Sequence, residues 1–118
     1  MLTRPRWLLQ TEGAGYLALS LVLYRAGHFP WWSFAVLFLA PDLFLSGYLV
    51  NAKIGSAFYN LAHTLVWPVA LLLVSLALPA PQLAPYGLIW LSHLGFDRML
   101  GFGLKYPTYF GDTHLQRV

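Results

Sequence analysis

Four long apolar stretches, each close to the length of one membrane crossing, constrain this chain more than any other feature. They run over residues 7–24, 31–50, 56–78 and 85–104, separated by short breaks at 25–30, 51–55 and 79–85. A helix needs about 20 apolar residues to cross some 30 Å of hydrocarbon, and each stretch is near that length. Of the 118 residues 58% are hydrophobic and only 9% charged, whereas a soluble domain carries about 25% charged residues. No stretch offers a polar helix face to water. The pattern predicts an all-α integral membrane four-helix bundle, a single domain over residues 1–118, with a short tail over 105–118.

The basic residues set its orientation. With four spans both termini lie on one side, which collects Arg4, Arg6, Lys53, Lys105 and Arg117, while the other side has Arg25 alone. Positive residues favour the cytoplasmic face, so both termini are expected in the cytoplasm. A net charge of +3 spread among apolar blocks suits an anionic leaflet, and a nucleic-acid partner is not expected. Arg4 and Arg6 precede Trp7-Leu8-Leu9, but Gln10, Thr11 and Glu12 interrupt that run and no small-x-small cleavage site follows. The stretch reads as a retained first helix and not as a signal peptide. Aromatics near most helix ends, Tyr24, Trp31, Trp32 and Tyr59 among them, read as interfacial belts.

The few ionisable side chains inside the spans carry the functional expectation. At 1.5 Å per residue, Glu12, Asp42, His63, Asp97 and His93 all fall about 8–16 Å from the cytoplasmic ends of their helices. Charged groups at such depth persist by facing a partner, a cavity or an ion. Pro41 beside Asp42, and Pro68 four residues after Thr64, free backbone carbonyls and kink their helices. Asn60, His63 and Thr64 share one helix face, as do His93 and Asp97. Two imidazoles and two carboxylates suit zinc, manganese or iron, which makes Asp42, His63, His93 and Asp97 the candidate metal ligands. Glu12 or Asn60 would be a further ligand or supporting group. A hydrogen-bonded structural network and a metal-free proton- or ion-handling site are the competing readings of the same residues. The tail is too polar to span and rich in aromatics; folded back, Asp112, Thr113 and His114 would line the site's mouth, with Lys105, Arg98 and Arg117 near an anionic headgroup. A simple interfacial anchor is the plainer reading of that tail.

Several chemistries are excluded by what the sequence lacks. Without cysteine there are no disulfides and no thiolate metal sites. No nucleophile elbow, phosphate-cradling glycine loop or His-Glu-x-x-His motif occurs.

The run Ala40-Pro-Asp42-Leu…Gly47-Tyr48, Tyr59-Asn60-Leu-Ala-His63-Thr64, His93-Leu-Gly-Phe-Asp97-Arg98-Met-Leu-Gly-Phe-Gly-Leu-Lys105-Tyr106 and Thr113-His114-Leu115 resembles the small bacterial membrane proteins of domain of unknown function 4260. The likeness spans nearly the whole chain, with Phe102 where a tyrosine is expected. It implies a multi-pass protein of the bacterial inner membrane and brings no activity with it. The order Pro-Asp, His-Thr, His-x-x-x-Asp is also similar to the LexA-binding inner-membrane metal-dependent hydrolases. That likeness implies metal ligation by Asp42, His63, His93 and Asp97, with Tyr59-Asn60 standing where those proteins have a histidine-arginine pair.

The functional expectation is therefore a metal-dependent hydrolase acting on a lipid-borne ester or phosphoester. Glu12 would be its general base and Arg98 its oxyanion partner, with Asn60, Thr64, Lys105, Asp112 and His114 supporting the site or binding substrate. The alternatives are a small transport module working as a homo-oligomer through the fourth-helix glycines, and a structural subunit of a larger membrane complex.

Overall fold

Proline in a first helical turn costs nothing, because the amide it lacks has no partner there. Helix α1, Pro5–Ala26, starts in this way. The computed structural model describes residues 4–78, 80–108 and 110–117. Pro79 of the expected proline-rich break, with Tyr109 and Val118 of the tail, lies outside them. The described residues are all-helical apart from one antiparallel bridge between Lys105 and Thr113.

α1 packs antiparallel against α5, Ala84–Leu100. Gln10 Nε2 donates to the Met99 carbonyl at 3.3 Å, Arg6 reaches Gln116 at 3.0 Å, and Tyr24 at the other end packs on Leu88 and Ile89. The described ends of the chain thus lie at one end of the molecule. Gly13 and Gly95 bring the two backbones together: a Cβ on Gly95 would stand 2.7 Å from the Gly13 carbonyl oxygen and the Leu17 nitrogen. Small residues permit such close helix approach.

The other two apolar stretches are interrupted. α2 covers Trp31–Leu37 and gives way to a 3-10 helix, Ala40–Leu49, whose first turn contains Pro41. Proline cannot donate to the Leu37 carbonyl and its ring crowds that oxygen, and the Asp42 amide bonds Leu39 instead, at 3.0 Å. α3, Ala52–His63, begins at an Asn51 cap whose side chain accepts from the Ile54 amide at 2.8 Å. It ends where Thr64 turns extended, and α4 resumes over Val66–Ala77 with Pro68 in its first turn. A short 3-10 turn, Pro81–Leu83, leads into α5.

The fourth helix, expected to reach residue 104, stops at Leu100. Gly101 adopts φ +96°, the left-handed conformation. Its amide bonds the Arg98 carbonyl and the Phe102 amide bonds the Asp97 carbonyl, the paired closure that glycine favours at helix ends.

Among the described residues the buried set holds ten polar or charged side chains against eight hydrophobic ones. Meanwhile Leu49 (90% exposed), Leu76 (84%), Leu43 and Trp32 face outward. A water-soluble core has the reverse distribution, and contiguous apolar surface marks a membrane or a partner. The segments Trp31–Leu49 and Ala52–Ala77 are long and apolar enough to cross a membrane. Two of the expected belt aromatics are corrected here. Tyr24 is fully buried and donates to the Pro30 carbonyl at 2.6 Å, and Tyr59 is buried against His63.

Candidate metal centre

Asp42 sits just past the proline that breaks the second segment, and His63 is the last residue of α3. His93 and Asp97 lie one turn apart on α5. These four side chains converge, with one ligand atom from each lying within 4.8 Å of all the others. His63 Nε2 is 3.1 Å from Asp42 Oδ1, 3.2 Å from His93 Nε2 and 3.5 Å from Asp97 Oδ2. His93 Nε2 is 3.2 Å from Asp42 Oδ1 and 3.1 Å from Asp97 Oδ2. Both imidazoles are buried and Asp97 nearly so, while the Asp42 side chain is 37% exposed and forms the open side.

The tautomer of His63 follows from its other nitrogen. Nδ1 lies 2.8 Å from the Tyr59 carbonyl oxygen, which can only accept, so Nδ1 carries a proton. In the neutral ring Nε2 then presents a lone pair, aimed at two carboxylate oxygens and a second imidazole. Such a convergence of acceptors requires a cation or shared protons. A tetrahedral divalent ion with bonds of about 2.0–2.2 Å has ligand–ligand edges of about 3.3–3.6 Å. Five of the six edges, 3.1–3.5 Å, match within the adjustment that binding entails, and the sixth, between Asp42 and Asp97, lies within 4.8 Å. A histidine ligand whose second nitrogen is held by a carbonyl is the usual arrangement. His93 lacks that support: among the described residues its buried Nδ1 has no hydrogen-bond partner.

α5 also satisfies the carbonyls left open where α3 ends. Trp90 Nε1 donates to the Ala62 carbonyl at 2.6 Å and Arg98 Nη2 to that of His63 at 3.2 Å. The guanidinium also donates to Phe102, at 3.3 Å. Arg98 therefore ties the broken helix to α5, and among the described residues it makes no ion pair with a carboxylate. Tyr59 stacks flat on His63, centroids 3.7 Å apart, and Phe38 packs edge-on against His93 at 5.3 Å. Tyr59 and Phe38 were not expected as parts of the site, and Trp90 only as a neighbour on the His93–Asp97 stripe of the fourth helix. Tyr59, one turn before His63, was the most accessible of the three.

The other expected site residues serve elsewhere. Asn60 donates to the Lys105 carbonyl at 2.7 Å and accepts from its amide at 2.6 Å, pinning the returning tail. Lys105 Nζ donates to the Phe110 carbonyl at 2.5 Å and lies among the rings of Phe110, Tyr59 and Tyr48. Burial pushes its ammonium pKa down, against the pull of Asp97 and Asp42. Asp112 is taken by Arg117, at 2.6 and 2.9 Å, and by Thr108; these bonds hold its carboxyl at about 2. His114 Nδ1 accepts from the Leu104 amide at 2.8 Å, and burial lowers its pKa. Glu12, Thr64, Arg98 and His114 line a separate cleft of about 250 Å³ among α1, α5, the break at residues 64–65 and the tail.

This sequence matches the domain of unknown function DUF4260 over residues 6–118. The chain belongs to the DUF4260 family. No curated protein and no solved structure matches it, and the likeness to the LexA-binding hydrolases is not among the matches. For this DUF4260 member the metal-competent quartet is thus read from its own geometry.

Proposed function

We propose that this protein spans the bacterial inner membrane four times, with both ends cytoplasmic, and binds one divalent metal through Asp42, His63, His93 and Asp97. The apolar exterior, the polar interior, the shared end of the described termini and the five-to-one distribution of basic residues support the topology. The observation that carries the metal reading is the convergence of four ligand atoms, five of their six separations 3.1–3.5 Å and all within 4.8 Å, around a His63 nitrogen whose tautomer leaves it a lone pair. Two imidazole nitrogens and two carboxylate oxygens suit zinc first, then manganese or iron.

The reaction we infer is hydrolysis of a membrane-borne ester or phosphoester. A divalent ion here would acidify water and polarise the scissile group. Tyr59 and Arg98 keep His63 in place through its Nδ1 proton and its carbonyl. Water adds to the carbonyl carbon or phosphorus, the bond to the leaving oxygen breaks, and water's proton ends on that oxygen. Asp42, the exposed ligand, marks the side from which substrate arrives. Glu12, cast from the sequence as the base, lines a different cleft and takes no step here.

Elemental analysis of purified protein tests the metal. The expected result is close to one metal per chain in the wild type, falling at least tenfold in Asp42→Asn and His93→Ala that keep wild-type helicity. A wild type free of stoichiometric metal after growth with zinc, manganese and iron overturns the reading. Should that protein instead conduct protons in liposomes, and Asp97→Asn abolish the conduction, the His–carboxylate contacts hold shared protons.

A further inference from the structure

Beside the quartet lies a second concavity that the metal reading does not use. Leu37, Ala40, Pro41, Ala62, Tyr86, Ile89 and Trp90 line this half-open hollow of about 230 Å³. Its position is fixed by the chain: Pro41 and Ala62 precede Asp42 and His63, and Ile89 is one turn before His93. Every lining side chain is apolar or aromatic, and the indole N–H of Trp90 is already bonded to the Ala62 carbonyl. Water gains little in such a space, whose lining is almost wholly apolar. The surface beside the mouth carries exposed Val36, Leu39 and Tyr86, so under the proposed topology it opens onto hydrocarbon.

We propose that this pocket holds one acyl chain of a membrane lipid, with the adjoining polar end of that lipid presented to the metal centre. The inference rests on the metal reading for its second half and deepens it by naming the substrate class as a lipid ester. Three observations carry it. The first is the adjacency of an apolar-lined pocket to a cluster of charged ligands, Pro41 and Ala62 being the chain neighbours of Asp42 and His63, which matches an amphiphile's own division. The second is depth: on α5 the pocket residues 86–90 precede the ligands 93 and 97, and on the second segment residues 37–41 precede Asp42. With the ligands in the cytoplasmic half, the pocket lies toward the bilayer centre, where the chain of a cytoplasmic-leaflet lipid runs. The third is size. A volume of about 230 Å³ falls below the roughly 300–1,000 Å³ of pockets that enclose a drug-sized ligand, and it admits part of one chain but not a two-tailed lipid.

A lysophospholipid spin-labelled on its acyl chain, titrated into the purified full-length protein in detergent, provides the test. The expected result is one motionally restricted label per chain, saturable and displaced by unlabelled lysophospholipid. Ala40→Trp, which fills the mouth, should weaken this binding at least tenfold, and Ile89→Trp should do the same from the pocket floor. Leu76→Trp, on an outward-facing position, should leave it within twofold. Metal content separates the two proposals. Ala40→Trp should keep its metal, which also certifies its fold, while Asp42→Asn should lose metal and still restrict the label. No restricted component, or one indifferent to both pocket variants, overturns the acyl-chain assignment and leaves the metal reading standing. Chain binding by a protein that never holds metal refutes the metal reading and the substrate assignment, leaving only a lipid-binding pocket.

Discussion

Two pairs of helical segments build this protein in opposite ways. α1 and α5 run without interruption for 22 and 17 residues and meet backbone to backbone through Gly13 and Gly95. The second and third segments each break in mid-course, at residues 38–39 and 64–65. Each break lies beside a ligand: Asp42 follows one and His63 precedes the other. The unbroken pair supplies His93, Asp97 and the side chains that close the other pair's open carbonyls. Rigidity and reach are thus divided between the pairs. A continuous helix fixes two ligands in register, and an interrupted one exposes the backbone that orients the third.

Gly95→Leu attacks the unbroken pair and should have the largest effect. Its side chain would enter the Gly13 and Leu17 backbone, and overpacking costs about 1–3 kcal/mol, occasionally more, with backbone contact at the upper end. Size-exclusion chromatography should show aggregated or degraded protein; a monodisperse, wild-type-like variant would mean that the close approach does not hold the fold. Arg98→Leu addresses the link between the pairs. It removes the donor to the His63 carbonyl and should leave a folded protein whose metal affinity, measured by competition with a chelator, is about 10–100-fold weaker, as for other supporting groups. Unchanged affinity would break the argument that α5 positions the interrupted helix.

Asn60→Ala tests whether the tail stiffens the broken pair. Losing the two bonds to Lys105 should cost about 1–2 kcal/mol and accelerate amide exchange in residues 105–117, with metal content retained. The smallest effect is expected from acid. Asp112 titrates at about 2 in the folded tail against an ordinary 3.8. Its contribution is therefore complete above about pH 4 and is lost as pH falls through about 2. Exchange at the Tyr106 amide, bonded to the Asp112 carbonyl, should rise over that interval, and Arg117→Ala should move the rise toward 3.8.

The sequence carried the four apolar stretches and the candidate ligands, because hydropathy over 20 residues and the i, i+4 spacing of His93 and Asp97 are local signals. Pro41 and Pro68 announced interruptions, yet a kinked helix and a switch to 3-10 geometry obey the same rule about a missing amide. Gly101 was obscured by its neighbours, since Gly95 and Gly103 offered equal freedom and only the fold selects which one turns left-handed. Tyr24 and Tyr59 resembled interfacial aromatics because position along a helix does not reveal which face turns inward. The grip of Asn60 on Lys105 joins residues 45 apart, a separation at which no local pattern operates.

The bond from His63 Nδ1 to the Tyr59 carbonyl also limits traffic through the ring. An imidazole relays a hydron by receiving it on one nitrogen and releasing it from the other, and here the second exit is spent on the backbone of its own helix. His63 is in effect a one-handed ring, able to grip what lies at the centre and unable to pass anything behind itself while α3 stays wound. Any conduction pathway across the bilayer would have to route around this residue.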